Sequence, residues 1–237
     1  MKPWSWKLLA LLAILVTGGL IWHLSANQPK TVNLIFTASV GENPLVLNSV
    51  EYRNPNGQGV FKIRSFQFFI SNIKLTATDS VYTEPESYHL VRFDNDTADY
   101  LLTLENVPAA DYQSIAFGIG VDPAANASID SPGELDPNGR MAWNWEVGYK
   151  FVLFEGGLTL DQGYIPLVYH IGFGENYKPL EFPIASTDKI ALNVDILAMF
   201  TDVHPIDMAT TSNVKFDRKE STQLAENYDG MITLEGK

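Results

Sequence analysis

An antiparallel β-sandwich of about ten strands, closed by a short C-terminal helix, is the fold class that this 237-residue sequence predicts. Three observations carry that prediction. Apolar and polar residues alternate with period two in run after run, the pattern of strands with one buried face. Turn-forming clusters separate the runs, at Asn54-Pro55-Asn56-Gly57, Asp136-Pro137-Asn138-Gly139 and Glu155-Gly156-Gly157. Helical spacing, which a βαβ fold needs between its strands, shows up only near the end of the chain.

In chain order, Met1–Lys7 holds two lysines and Leu8–Trp22 is an almost unbroken apolar run. A basic start, a short apolar stretch and then small polar residues is the layout of a secretory signal. The run is short for a bilayer-spanning helix, which needs roughly 20 residues. Residues 1–26 are therefore expected to be a cleaved signal peptide or an uncleaved N-terminal anchor, with one domain over residues 30–237. Either places the domain in the periplasm or outside the cell. Cleavage would remove Lys2 and Lys7 and take the formal charge from −12 to −14.

Val32, Leu34, Phe36, Ala38 and Val40 share one face of a first strand. Phe61 and Ile63, then Phe66, Phe68 and Ile70, mark a second, with a bulge expected at Arg64-Ser65 where the alternation slips. Ile115, Phe117, Ile119 and Val121 form a third clean face. Trp143, Trp145, Val147, Tyr149, Phe151 and Leu153 read as one long strand face. Ile190, Leu192, Val194 and Ile196 form the last. Leu224, Ala225, Tyr228, Met231 and Ile232 then fall at helical spacing after Ser221-Thr222, which can cap a helix start, with Gly230 as its weak point.

Composition narrows the function. A chain that is 46% hydrophobic and 12% aromatic buries a real core, so it is not disordered. With 28 acidic residues against 16 basic ones, it lacks the basic balance of a nucleic-acid binder. The absence of cysteine removes disulfides, thiolate metal sites and cysteine nucleophiles. A metal must then be held by imidazole, oxygen or thioether.

Outside the N-terminal segment there are three histidines, His89, His170 and His204. His170 points away from the face of Ile165, Leu167 and Tyr169, whereas His89 shares a face with Val91 and Phe93. His204 precedes Pro205 in a loop. No HxH or HExxH spacing accompanies them. In Met141-Ala142-Trp143-Asn144-Trp145 both indoles fall on one strand face, where core packing is the ordinary role. An intact indole has no lone pair for a metal, so a tryptophan site requires a cation–π contact or chemical modification. The turn-rich stretch holding Asp122, Asn126, Asp130, Glu134, Asp136 and Asn138 offers oxygen ligands for calcium, without the spacing of the helix-flanked calcium loop. No GxSxG motif or Ser/His/Asp grouping suggests hydrolysis, and the chain is not expected to be an enzyme. A β-sandwich binding module for glycan or protein, using aromatics and no metal, is the alternative.

Several ordered blocks resemble one family. They are Tyr52-Arg53-Asn54…Gly57, Phe66–Leu75, Tyr88-His89-Leu90-Val91, Gly118–Asp122, Gly133–Pro137 with Met141–Trp145 and Gly148–Phe151, Tyr169-His170-Ile171-Gly172, and Ala225–Tyr228. Together they are similar to the MbnP-like domain family from about residue 30 to the C-terminus. The resemblance implies a secreted or periplasmic β-sandwich protein associated with copper. It implies a partner, a MauG-like diheme c-type cytochrome peroxidase that oxidises a tryptophan to kynurenine, with Trp143 and Trp145 as the sites open to it. It also implies His89 and His170 as imidazole ligands, with copper(I) content in a low-coordinate site. Relatives with a Trp-x-His arrangement place a ligand two residues after the modified tryptophan, where this sequence has Trp145.

Overall fold

The computed structural model describes residues 28–94, 97–128, 133–144 and 147–235. In chain order the described elements begin with β1 (Lys30–Val40), β2 (Asn43–Pro44), β3 (Tyr52–Arg53), β4 (Val60–Ala77), β5 (Val81–Thr83), β6 (Tyr88–Arg92), β7 (Asp99–Val107) and β8 (Tyr112–Ile119). A one-turn helix α1 (Pro123–Asn126) leads to β9 (Ala142–Asn144), β10 (Gly148–Leu160), β11 (Gly163–Gly172), β12 (Lys178–Pro183) and β13 (Lys189–Asp195). The chain then runs through α2 (Ala198–Thr201), β14 (Asn213–Val214), α3 (Arg218–Glu226), α4 (Tyr228–Met231) and β15 (Ile232–Leu234). The N-terminal segment 1–26 lies outside the described residues. Among the described residues no helix is long and apolar enough to cross a membrane.

The strands form an all-β sandwich. One sheet has the order β15-β13-β1-β2, with β7 also pairing with β1. The other runs β12-β8-β4-β10-β11-β14, with β3, β5 and β6 also on the long strand β4 and β9 on β10. The alternation read in β1 buries Val32, Leu34, Phe36, Ala38 and Val40. Phe36 crosses the interface to meet Phe68 of β4 edge-on at 6.4 Å and Phe117 of β8 at 6.1 Å. A second, smaller cluster covers part of the outer face of the large sheet and includes Phe69, Leu90, Met141, Tyr149, Phe151 and Leu153.

The bulge expected at Arg64-Ser65 is present: Glu155 pairs with Ser65 and Gly156 with Ile63, which leaves Arg64 unpaired in the ladder. Four features depart from the sequence expectation. The sheets are mixed, because β1 pairs with β13 in parallel and β11 pairs with β14 in parallel. The supposed single strand through Trp143 and Leu153 is a hairpin, β9 folding back on β10. Gly148 sits at φ 86, a conformation that lets the chain turn where the apolar alternation continues unbroken. The predicted turn at Glu155-Gly156-Gly157 lies inside β10, where a Cβ on Gly156 would come within 2.2 Å of the Lys62 carbonyl. Finally, the C-terminal helix starts earlier, because Asp217 and not Ser221 caps it, accepting from Glu220 N at 2.8 Å. It breaks at Asn227, the one-turn α4 then carries Gly230, and β15 follows.

Candidate metal centre

Strand register decides where the two implied histidine ligands point. His89 of β6 lies opposite Ile70 of β4, and Ile70 belongs to the main core between the sheets. His170 of β11 lies opposite Leu153 of β10, and Leu153 belongs to the outer cluster. Directly paired residues share a face, so the two imidazoles leave opposite faces of one sheet. The structure does not bring His89 and His170 together, and one ion cannot take both.

Each histidine has a carboxylate of its own. His89 Nε2 is 2.8 Å from Glu84 Oε2, which also accepts from Ser87 Oγ at 2.6 Å. Ser87 Oγ in turn accepts from the Ile73 amide at 2.9 Å, so this group ties the β5–β6 turn to β4. His204 is bonded through Nε2 to Glu226 at the end of α3, and its backbone amide donates to Asn227. Among the described residues no group of three or more histidine, aspartate or glutamate side chains is placed to hold a metal ion.

The His170 side is different in kind. His170 Nε2 is 3.0 Å from Glu155 Oε1, and Glu155 Oε2 also accepts from Arg64 at 3.1 Å and Arg140 at 2.9 Å. The bulge turns Arg64 out of the ladder so that it reaches this carboxylate. Burial alone would raise the Glu155 carboxyl, but the bonds from His170, Arg64 and Arg140 outweigh it and hold it at about 2. Burial lowers His170, against the pull of Glu155, which keeps the ring neutral near pH 7. An ionised Glu155 accepts the Nε2 proton, so the Nδ1 lone pair is the one left for a ligand.

Trp143 reaches the same face. A Cβ on Gly172 would lie 2.6 Å from the Trp143 ring and 2.4 Å from the Tyr149 carbonyl, so only glycine admits this approach two residues from His170. The ring packs against Phe173 at 5.4 Å and Phe216 at 5.3 Å. Arg218 lies 4.2 Å over Phe173. Trp145 lies outside the described residues. Met141 is buried in the outer cluster and its sulfur receives the Gln67 amide at 3.3 Å, which is a packing role.

The oxygen-rich stretch is similarly committed. Asp122 caps α1 and accepts from Tyr88 and Asn72, Glu134 pairs with Arg92, and Asp136 accepts from Asn138. Asp130 lies outside the described residues. Sequence reasoning missed Glu155, Arg64 and Arg140. The available signal was a lone carboxylate inside a long apolar alternation, masked by the two glycines that follow it.

The family model described as MbnP matches residues 29–218 of the chain. Among solved structures, MbnP from Methylosinus trichosporium is similar with a TM-score of 0.56 at 15% identity, over 73% of this chain and 78% of that one. At that identity the likeness speaks for the fold. None of the curated proteins matches.

Proposed function

The chain belongs to the MbnP family, and we propose that it is a copper-binding protein of the periplasm or cell exterior, without catalytic activity of its own. The observation that carries this reading is the placement of Trp143 over Gly172, two residues from His170 on the same strand face, with Glu155 fixing the imidazole. The residues fit copper only in part. One neutral imidazole is ready, the second lies on the other face, and the intact indole offers no lone pair. Oxidation of Trp143 to kynurenine supplies the missing donor as an aromatic amine.

That conversion balances with two equivalents of peroxide, which a MauG-like diheme peroxidase partner reduces to water. The indole C2–C3 bond opens with insertion of two oxygen atoms, and hydrolysis then releases the formyl carbon as formate. When bound, copper(I) would be carried as a low-coordinate ion by nitrogen ligands. Residues 1–26, as signal or anchor, would deliver the domain to that compartment. Calcium has no part in this reading.

Protein purified from cells that co-express a MauG-like diheme peroxidase is expected to bind copper(I) stoichiometrically. Its Trp143 peptide should carry the mass of kynurenine. Protein that binds no copper overturns the reading, and modification of Trp145 alone overturns the choice of donor.

A further inference from the structure

The face around His170 is cationic on a chain whose formal charge is −12. Arg64 and Arg140 converge on Glu155 from the bulge of β4 and the approach to β9. Lys150 follows on β10, and its Nζ donates to the Arg140 carbonyl. Lys215 comes from the other side: β14 pairs in parallel with β11, Val214 turns into the main core, and Lys215 turns outward next to His170. Among the described residues the salt bridges here all end on Glu155, and none reaches Lys150 or Lys215. Arg64 and Arg140 thus share the one carboxylate, Glu155, while Lys150 and Lys215 both act on His170 with no salt-bridge partner among the described residues. Burial lowers the Lys150 ammonium, and repulsion from Arg140 and Lys215 adds to that, with Glu155 opposing.

Such a surplus is unfavourable unless something anionic shares the face. The geometry points to an anion-binding site in which Arg140, Lys150 and Lys215 receive a multivalent carboxylate ligand beside His170. β10 and β14 stand two strand spacings apart, roughly 10 Å, a span that one ligand with separated carboxylates bridges by setting a carboxylate at each lysine. The aromatic wall of Trp143 and the exposed Phe216 suits the carbon framework of such a ligand better than a bare inorganic anion.

The site is independent of copper, so metal-free full-length protein and citrate as probe test it. In a titration followed by NMR, citrate is expected to shift the Lys150 and Lys215 side-chain resonances saturably. The Lys150→Met/Lys215→Met double variant should weaken binding about tenfold or more. Sulfate at matched ionic strength should leave the resonances in place. Equal shifts with sulfate, or undiminished binding by the double variant, overturn the proposal. Should that variant fail to fold, the exposed Lys215→Glu must weaken citrate on its own, and an unchanged affinity overturns the proposal equally.

Discussion

His89 and His170 are each bonded through Nε2 to a glutamate, at 2.8 and 3.0 Å, in the same sheet, yet their surroundings have little in common. Behind His89, Glu84 is tied to Ser87 and through it to the backbone of β4, so the group fastens a turn. Behind His170, Glu155 gathers two arginines, and two residues further along the same strand a tryptophan is held against Gly172. The contrast teaches that a histidine–carboxylate pair identifies no function by itself. What the carboxylate does next, and what else shares the face, distinguishes a structural clasp from a metal-ready imidazole.

Exchanging the two histidines for alanine breaks the comparison most directly. His170→Ala is expected to lower copper(I) affinity by about a hundredfold or more, read by competition with a chromophoric chelator. His89→Ala should retain copper and lose about 1–2 kcal/mol of unfolding free energy, read by urea denaturation. Equal copper loss in both variants would sink the assignment of separate roles.

A smaller effect tests the carboxylates. Glu155→Gln should cost about 10–100-fold in copper affinity, because an amide no longer fixes the Nε2 proton of His170 as firmly. Glu84→Gln should leave copper untouched and cost about 1 kcal/mol at the β5–β6 turn. Copper affinity that ignores Glu155→Gln would remove that residue from the site.

The smallest effect concerns pH and the turn side of the sheet. Burial would raise Asp122, but bonds from Tyr88, Asn72 and the α1 amides prevail and hold it below the ordinary carboxylate range. A carboxyl depressed by folding contributes stability above its unfolded pKa and loses it as pH falls through the folded value. Unfolding free energy should therefore drop as pH falls below about 4. The Asp122→Asn variant should show a flatter acid limb, and identical limbs would contradict the role given to Asp122.

Much of the fold was legible in the sequence because strand alternation is local. The faces of β1, β8 and β13 and the bulge at Arg64 follow from period two and its interruption. The hairpin at Gly148 was hidden because the apolar pattern runs straight through it. Glu155 was hidden because glycines inside a strand look the same in sequence as glycines in a turn. The blocks that resemble the MbnP-like family carried the family and drew attention to His170 and Trp143. They also joined His89 to the same ion, although the residue faces already read as different, His89 with Val91 and His170 away from Tyr169.

The sequence by itself determined the β-rich class, the cysteine-free chemistry and the acidic overall charge, since each depends on residue identity or on neighbours along the chain. Only the tertiary structure decided that the two histidines sit three strands apart on opposite faces of one sheet, that Glu155 collects Arg64 and Arg140, and that Trp143 rests over Gly172. Those facts depend on register between strands far apart in the chain. Register is set by which face of each strand finds the shared core, and no local pattern encodes it.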